Sequence, residues 1–266
     1  MSLRLSMIEV EELKPHEEVI EEVVEKLSRE INADEEVHDP LIVDREDHVI
    51  LDGMHRFSAL KRLNCRFAPC CLLDYESPKI KVGSWFRLFT VNDPIPLAQN
   101  LLSKMNMNHS RHKADAGTMS YDAESVILTK DGTIFSLPSS LDPLERCRTA
   151  TKIEKELVND GHRVTYLSED NAMQRLKSDE ANLAIAMPVF RKEEIRIFGL
   201  ERRLLPHKTT RHVIPSRPLA VDIPLTLLTN ATISRQEADS HLGELLATRR
   251  IDKKPPGSFV GGRRYD

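Results

Sequence analysis

The stretch "ILDGMHRFSAL", residues 50–60, decides how the first part of this chain is built. An apolar run ends at Asp52 and Gly53 and an amphipathic segment follows at once, which predicts a strand, a tight turn and a helix. The first backbone N–H groups of a helix lack partners within it, and its dipole is positive at that end. With His55 and Arg56 placed there, the turn is predicted to bind an anion, and phosphate is the expected one.

A structural interpretation of the turn is also open, because Asp and Gly are common wherever a strand turns into a helix. The turn is not a Walker A loop, which would end in Gly-Lys-Ser/Thr. In favour of function, Asp52 is a carboxylate suited to Mg²⁺, and Gly53 permits close approach of the backbone to phosphate. Met54 stands where a thiol-based phosphoryl-transfer enzyme would need cysteine, which excludes thiolate chemistry in this turn.

The composition indicates a soluble globular protein of one large or two smaller domains, and two are preferred. The chain has 266 residues, of which 30% are charged and 40% hydrophobic, and domains commonly run to roughly 100–200 residues. It contains no apolar run near the roughly 18 residues of a membrane span and begins without a secretory pattern. We therefore expect a cytoplasmic protein with no membrane partner.

Net charge and cysteine content argue against further classes of protein. A formal net charge of −4 gives no general attraction to nucleic acid. The four cysteines contain no CxxC pair, so neither a zinc site nor a disulfide framework is expected. These residues, predicted to be ordinary reduced thiols, are Cys65, Cys70, Cys71 and Cys147.

The segment "KPHEEVIEEVVEKLSREI", residues 14–31, carries apolar residues at helical spacing and predicts an amphipathic helix beginning near Pro15. Glu17 then suits the positive end of the helix dipole, and only a nearby substrate would give it another role. "PLIVD" and "HVILD" predict a hairpin, and two further strands follow the turn. The first domain is predicted over residues 1–90.

Beyond the first domain, residues 91–118 mix prolines with polar sequence and predict a connector that carries one short helix. A hairpin and two alternations of helix and strand predict a second domain, of mixed α/β structure, over 119–228. Residues 229–266 predict a C-terminal helix and a disordered tail. The fold class is therefore α/β, of the α+β type.

The segment "PHKTTRHVIP", residues 206–215, is a third candidate for chemistry. It has several potential donors to an anion between two prolines, although a solvated basic loop would have the same composition. These residues are Lys208, Thr209, Thr210, Arg211 and His212. Trp85, the only tryptophan, by itself indicates no more than a core residue.

Four segments together carry a resemblance to a known family: "LKPHE" (13–17), "LDGMHR" (51–56), "SWF" (84–86) and "KTTRHVIP" (208–215). The turn resembles the signature of the ParB/sulfiredoxin-like superfamily, and within it the chain is most similar to the archaeal free serine kinases over about residues 7–228. The resemblance implies a ParB/sulfiredoxin-like N-terminal domain. It also implies a kinase that transfers a phosphoryl group from ADP or ATP to free L-serine, giving O-phospho-L-serine.

The resemblance also implies residue roles. Glu17 would be the general base, and Asp52 would hold Mg²⁺. The turn residues Gly53, Met54, His55 and Arg56 would bind the nucleotide phosphates, although family members usually have histidine at the position of Met54. Serine or phosphoserine would be held by Trp85, Lys208, Thr209, Thr210, Arg211 and His212.

Two alternatives remain open from the sequence. The first is a nucleotide-binding regulatory or DNA-partitioning protein of the same superfamily, although an α/β pattern stands where a helix-turn-helix region would be expected. The second is a nuclease, although this sequence lacks the clustered carboxylates expected of a two-metal site. The sequence leaves open the choice between ADP and ATP and the oligomeric state.

Overall fold

The computed structural model describes residues 4–114, 124–248 and three short strands beyond them. The chain forms two compact units. The first unit takes Met1–Lys81, Arg191–His207 and His212–Asp266, and the second takes Val82–Phe190 and Lys208–Arg211.

The described residues form a mixture of helices and strands. The first half contains β1 (Arg4–Glu9), α1 (Glu21–Asp34), β2 (Glu36–Val37), β3 (Leu41–Asp44), β4 (Ile50–Asp52), α2 (Met54–Arg62), β5 (Phe67–Leu73), β6 (Lys81–Phe89), α3 (Pro94–Lys104), β7 (Ser110–Lys113), β8 (Ser125–Thr129) and β9 (Thr133–Ser136). The second half contains α4 (Pro143–Asn159), β10 (Thr165–Ser168), α5 (Glu169–Lys177), β11 (Leu183–Ile185), α6 (Lys192–Leu200), β12 (Thr210–Val213), β13 (Arg217–Leu219), β14 (Ile223–Pro224), α7 (Leu225–Leu228), α8 (Arg235–Thr248), β15 (Asp252–Lys254), β16 (Ser258–Val260) and β17 (Arg263–Tyr265).

The first unit is built on a four-stranded sheet in the order β1, β5, β3, β4. Strand β5 pairs antiparallel with β1 and parallel with β3, and β3 and β4 form the predicted antiparallel hairpin. All seven residues of β5 are buried, as expected from its unbroken apolar sequence. The core includes buried side chains of this sheet and of α1, α2 and α8.

Helix α1 begins at Glu21, so the prediction of a helix beginning near Pro15 is wrong. The preceding segment is extended because its backbone groups pair with other parts of the first unit. Lys14 donates its N–H to the carbonyl of His48 and accepts from the N–H of Ile50, both at 3.0 Å, and Glu18 donates to the carbonyl of Leu205 at 2.8 Å. Backbone groups paired in this way are not available for a helical turn.

Helix α8 packs against β1, the edge strand of the first sheet. Asp239 accepts the backbone N–H of Met7 at 2.6 Å, while Ala238 and Leu242 enter the core. An edge strand leaves N–H groups without a partner strand, and Asp239 satisfies one of them. Beyond the helix, β15 pairs with β13 and β16 with β17, which corrects the prediction of a disordered tail for these strand residues.

The second unit is built on a larger sheet in the order β10, β6, β11, β8, β9, β7, with β12 also paired to β6. Its core includes residues of β6, β8, β9 and β11, covered by Ala172 and Leu176 of α5. The predicted connector contains α3 and also β7, which belongs to this sheet. Compared with the predicted domains, residues 82–90 lie in the second unit and residues 191–207 and 212–228 in the first.

Among the described residues, no helix combines the length and the apolar character that crossing a membrane requires.

Candidate active site

The turn at residues 50–60 is a strand, a glycine and a helix, as predicted. Strand β4 ends at Asp52, Gly53 has φ 100°, and α2 begins at Met54. A Cβ added to Gly53 would lie 2.8 Å from a side-chain carbon of Leu41, so conformation and space both require glycine. The N–H of Phe57 makes the first helical bond, to Gly53, at 2.8 Å. The N–H groups of residues 54–56 therefore precede the helical ladder, where anions bind.

The side chains of the turn have different environments. Met54 packs in the core of the first unit with 8% exposure, so only its backbone is suited to contact a phosphate. His55 Nε2 accepts the backbone N–H of Ile20 at 3.1 Å, which places the proton of the neutral ring on Nδ1. Arg56 donates through one guanidinium nitrogen to the carbonyls of Asp39 at 3.0 Å and Pro40 at 2.6 Å.

Asp52 forms an ion pair that the sequence did not predict. Its Oδ2 lies 2.9 Å from a guanidinium nitrogen of Arg217, whose side chain is 7% exposed. Another nitrogen of Arg217 donates to the carbonyl of His212 at 3.1 Å. The Nε atom of Arg217 is buried with no hydrogen-bond partner among the described residues. Arg217 thus joins the predicted metal ligand to the end of the "KTTRH" segment.

Two buried histidines lie next to each other in the first unit. The rings of His16 and His212 are 5.6 Å apart between centroids in an edge-to-face arrangement. His16 Nδ1 lies 2.8 Å from the carbonyl of Ile50, and His212 Nε2 lies 2.8 Å from the hydroxyl of Tyr75. Burial lowers the pKa of His16 and lowers that of His212 well below its ordinary value. Both rings are therefore neutral near pH 7, and His16 donates its Nδ1 proton to the carbonyl.

Glu17 lies in the extended segment before α1, with its side chain 11% exposed and Oε1 4.0 Å from His16 Nε2. A short parallel bridge to Leu205 fixes its backbone. In this bridge Leu205 donates its N–H to the carbonyl of His16 at 2.9 Å, and Glu18 donates to the carbonyl of Leu205. Glu17 is thus a largely covered carboxylate on a rigid backbone, although the sequence suggested a helix start.

In the second unit, two cations lie over the single tryptophan. Lys208 Nζ is 4.3 Å and the guanidinium carbon of Arg211 is 5.6 Å from the centroid of a Trp85 ring. Lys208 has φ 57°, a left-handed conformation that is uncommon outside glycine. The Nε atom of Arg211 is buried with no hydrogen-bond partner among the described residues. Thr209 and Thr210 are buried beside them, with 0% and 7% exposure.

The structure thus divides the predicted site residues into two groups. The first unit contains Glu17, Asp52, Gly53, Met54, His55, Arg56 and His212, and the second contains Trp85, Lys208, Thr209, Thr210 and Arg211. His212 is therefore assigned to the first unit, where its ring is bonded to Tyr75. The sequence did not point to Tyr75 or Arg217, since nothing in the residues around either one marks it as part of a site.

The chain shares its fold with a free serine kinase of known structure. With a variant of that enzyme in which a glutamate is replaced by alanine, solved in complex with AMP, the TM-score is 0.71 at 22% identity, covering 86% of this chain and 95% of that chain. No family model matches the sequence. The mixed α/β fold class predicted from the sequence is confirmed.

Relatives found by sequence include two L-serine kinases. An ADP-dependent L-serine kinase from Thermococcus kodakarensis is 25% identical over 227 residues, 82% of this chain and 90% of the relative. An ATP-dependent L-serine kinase from Desulfurococcus mucosus is 24% identical over 233 residues, 84% and 90%. A ParB-like protein from Sulfolobus acidocaldarius is 25% identical over 210 residues, 79% and 90%. The resemblance to the free serine kinases is therefore confirmed.

Proposed function

We propose that this protein is an L-serine kinase, which transfers a phosphoryl group from ADP or ATP to the hydroxyl of free L-serine and releases O-phospho-L-serine. One observation carries the proposal: the segment that holds Glu17 is bonded at two places to the turn at residues 50–60, which we call the phosphate turn. His16 binds the carbonyl of Ile50, and the N–H of Ile20 binds the ring of His55. A carboxylate base and an anion-binding helix start are thereby fixed to each other within one unit.

Glu17 is the proposed general base. The hydroxyl of serine is a poor nucleophile near neutral pH, and a positioned carboxylate that accepts its proton contributes roughly 10²–10⁴-fold to the rate. In the reaction, the serine oxygen forms a bond to the terminal phosphorus of the nucleotide while the bond to the bridging oxygen breaks. The hydroxyl proton passes to Glu17, and the nucleotide leaves one phosphate shorter.

The phosphate turn supplies charge stabilisation for the transferring group. The N–H groups of residues 54–56 are the proposed donors to phosphate oxygens, together with the Nδ1 proton of His55. Arg56 adds positive charge while its bonds to Asp39 and Pro40 keep its guanidinium in place. Phosphoryl transfer depends mainly on this kind of alignment and charge neutralisation.

Asp52 is the proposed ligand for Mg²⁺. The described residues contain no cluster of three or more metal-ligating side chains that includes Asp52. Mg²⁺ usually binds one or two carboxylates together with substrate phosphates, so a single carboxylate beside a phosphate turn fits a metal that arrives with the nucleotide. When bound, the metal would neutralise phosphate charge.

The residues proposed to hold serine are those of the second unit. Lys208 and Arg211 offer positive charge to the carboxylate of serine or to the phosphate of the product, and Thr209 and Thr210 offer hydroxyl groups. Trp85 forms the apolar surface beneath the two cations. We assign His212 to positioning instead, because its ring is buried and bonded to Tyr75.

The experiment is to incubate the protein with L-serine, Mg²⁺ and either ADP or ATP, and to detect phosphoserine by ³¹P NMR or mass spectrometry. We expect Glu17→Gln to lower turnover by about 10²–10⁴-fold while nucleotide binding is kept. Glu18→Gln is the matched control, since Glu18 is the exposed neighbour of the same type.

Substantial serine-dependent turnover by Glu17→Gln would contradict the assigned base. Tight nucleotide-dependent binding to duplex DNA, without formation of phosphoserine, would favour the alternative of a ParB-like regulatory protein.

A further inference from the structure

Arg87 is a fully buried cation in the second unit that the proposed reaction does not use. It follows Trp85 by two residues on β6, and its side chain is 0% exposed. Its Nε atom donates to Glu154 Oε2 at 2.9 Å, and the hydroxyl of Tyr166 donates to the other oxygen of the same carboxylate. The guanidinium carbon also lies 5.6 Å from the centroid of the Tyr166 ring.

Two further bonds of Arg87 go to two members of the proposed serine-binding group, Trp85 and Lys208. One guanidinium nitrogen donates to the carbonyl of Trp85 at 3.1 Å and to that of Lys208 at 2.8 Å. Lys208 is the residue with the left-handed backbone, and its ammonium lies over the Trp85 ring. Arg87 thus bonds to the backbone on both sides of this contact.

We propose that Arg87 is a positioning residue for serine binding, which holds Lys208 over Trp85 through their two carbonyls and is itself oriented by Glu154. The proposal rests on the proposed function for its substrate. A buried ion pair is a weak source of stability, because the cost of desolvation offsets the attraction between the charges. What the pair supplies here is a fixed direction for the guanidinium, and with it the backbone angle of Lys208.

Arg87→Lys separates charge from geometry. Lysine keeps the positive charge next to Glu154, but a single ammonium cannot reproduce the planar fork of a guanidinium. We expect Lys208 to lose its fixed place and the KM for serine to rise about 10-fold, with kcat changed by less than about 3-fold and nucleotide affinity unchanged. Glu154→Gln, which keeps the side-chain shape, should raise the KM in the same direction by a smaller factor.

Arg146→Lys is the matched control. Arg146 is also a buried arginine of the second unit, and it donates to the carbonyls of Leu137, Pro138 and Leu141. The same substitution there removes bonds of the same kind at a different loop. We expect the KM for serine to stay within about 2-fold of that of the unchanged protein.

Trp85 provides a readout that does not depend on activity, because the chain has one tryptophan. In the absence of ligand, Arg87→Lys should shift its fluorescence emission and increase its quenching by acrylamide, while Arg146→Lys should not. Titration with phosphoserine should perturb the emission of the unchanged protein at about 10-fold lower concentration than that of Arg87→Lys.

Failure of the proposed function and failure of this proposal give different results. If the unchanged protein forms no phosphoserine, the function fails, and the emission and quenching of ligand-free Trp85 still test the positioning. The positioning role is overturned if Arg87→Lys leaves Trp85 emission, quenching and phosphoserine affinity unchanged, or if Arg146→Lys alters them equally. If circular dichroism shows that Arg87→Lys is unfolded, the same measurements on Glu154→Gln decide the question.

Discussion

Arg217 and Asp52 form an ion pair at 2.9 Å within the first unit, with Asp52 at the end of β4 and Arg217 at the start of β13. The pair differs from a surface salt bridge because the arginine side chain is 7% exposed while the carboxylate is 39% exposed. Arg217 also holds the carbonyl of His212. Its removal would take this positive charge away from a partly covered carboxylate.

We expect Arg217→Gln to lower the free energy of unfolding by about 1–3 kcal/mol, less than the cost of breaking a fully buried pair because solvent reaches Asp52. Urea denaturation followed by circular dichroism measures the change. The control is Arg203→Gln, which breaks the exposed pair of Arg203 with Glu201 and should cost less than about 0.5 kcal/mol. Equal effects of the two substitutions would show that the burial of Arg217 contributes nothing.

Gly53→Ala tests the phosphate turn. Alanine there must adopt φ 100° and also places its Cβ 2.8 Å from Leu41. We expect a loss of about 2–4 kcal/mol in the free energy of unfolding and weaker nucleotide binding. Gly161→Ala is the control, since Gly161 has φ 89° but open space around its Cβ position, and should cost about 1 kcal/mol. The contact with Leu41 would be irrelevant if the two costs were equal.

The buried histidines predict how stability depends on pH. The pKa values of His16 and His212 are lowered, mainly by burial, from 6.5. Below about pH 6.5 the unfolded chain therefore binds protons that the folded chain excludes. The free energy of unfolding is therefore unaffected by these two pKa shifts above pH 7. It decreases as the pH falls from about 6.5 towards the folded pKa values, by up to about 1.4 kcal/mol per pH unit for each histidine.

His38 makes stability depend on pH in the opposite direction. Its pKa is raised, first by the hydrogen bond to Asp222, so the stability that it contributes is present below about pH 6.5 and is lost as the pH rises through the folded pKa. Urea midpoints measured between pH 5 and 8 test both statements. His16→Gln should flatten the fall on the acid side, and His38→Gln should leave that fall in place. If the plot of urea midpoint against pH for His16→Gln ran parallel to that of the unchanged protein, the lowered pKa assigned to His16 would be contradicted.

The four cysteines predict protection from thiol reagents. All four are free and buried, and burial raises the pKa of Cys65 and Cys71 to about 12. Since the thiolate is the reactive form, we expect the native protein to react with Ellman's reagent at pH 8 more than about 10³-fold more slowly than the protein unfolded in urea. Rapid reaction of any thiol in the native protein would contradict the burial found for it.

The turn at residues 50–60 could be predicted from the sequence because its determinants are local. An apolar run, a glycine and helical periodicity follow one another in eleven residues, and no other segment has to be known. The helix start predicted near Pro15 is wrong because its determinants are distant along the chain. The segment at 14–18 has the pattern of a helix start, but its backbone pairs with residues 48, 50 and 205, and only the tertiary structure supplies those partners.

By itself, the sequence determined the strand, turn and helix of the phosphate turn, the mixed α/β class and the four segments that resemble a serine kinase. Only the tertiary structure showed which arginines are buried and paired with a carboxylate. In the sequence, Arg87 and Arg217 are indistinguishable from the other members of a set of 38 basic residues. The tertiary structure also divided "KTTRH", placing Lys208–Arg211 in the second unit and His212 in the first. The physical reason is that burial and pairing of a charged side chain depend on groups distant along the chain, whereas turn geometry and periodicity depend on neighbours.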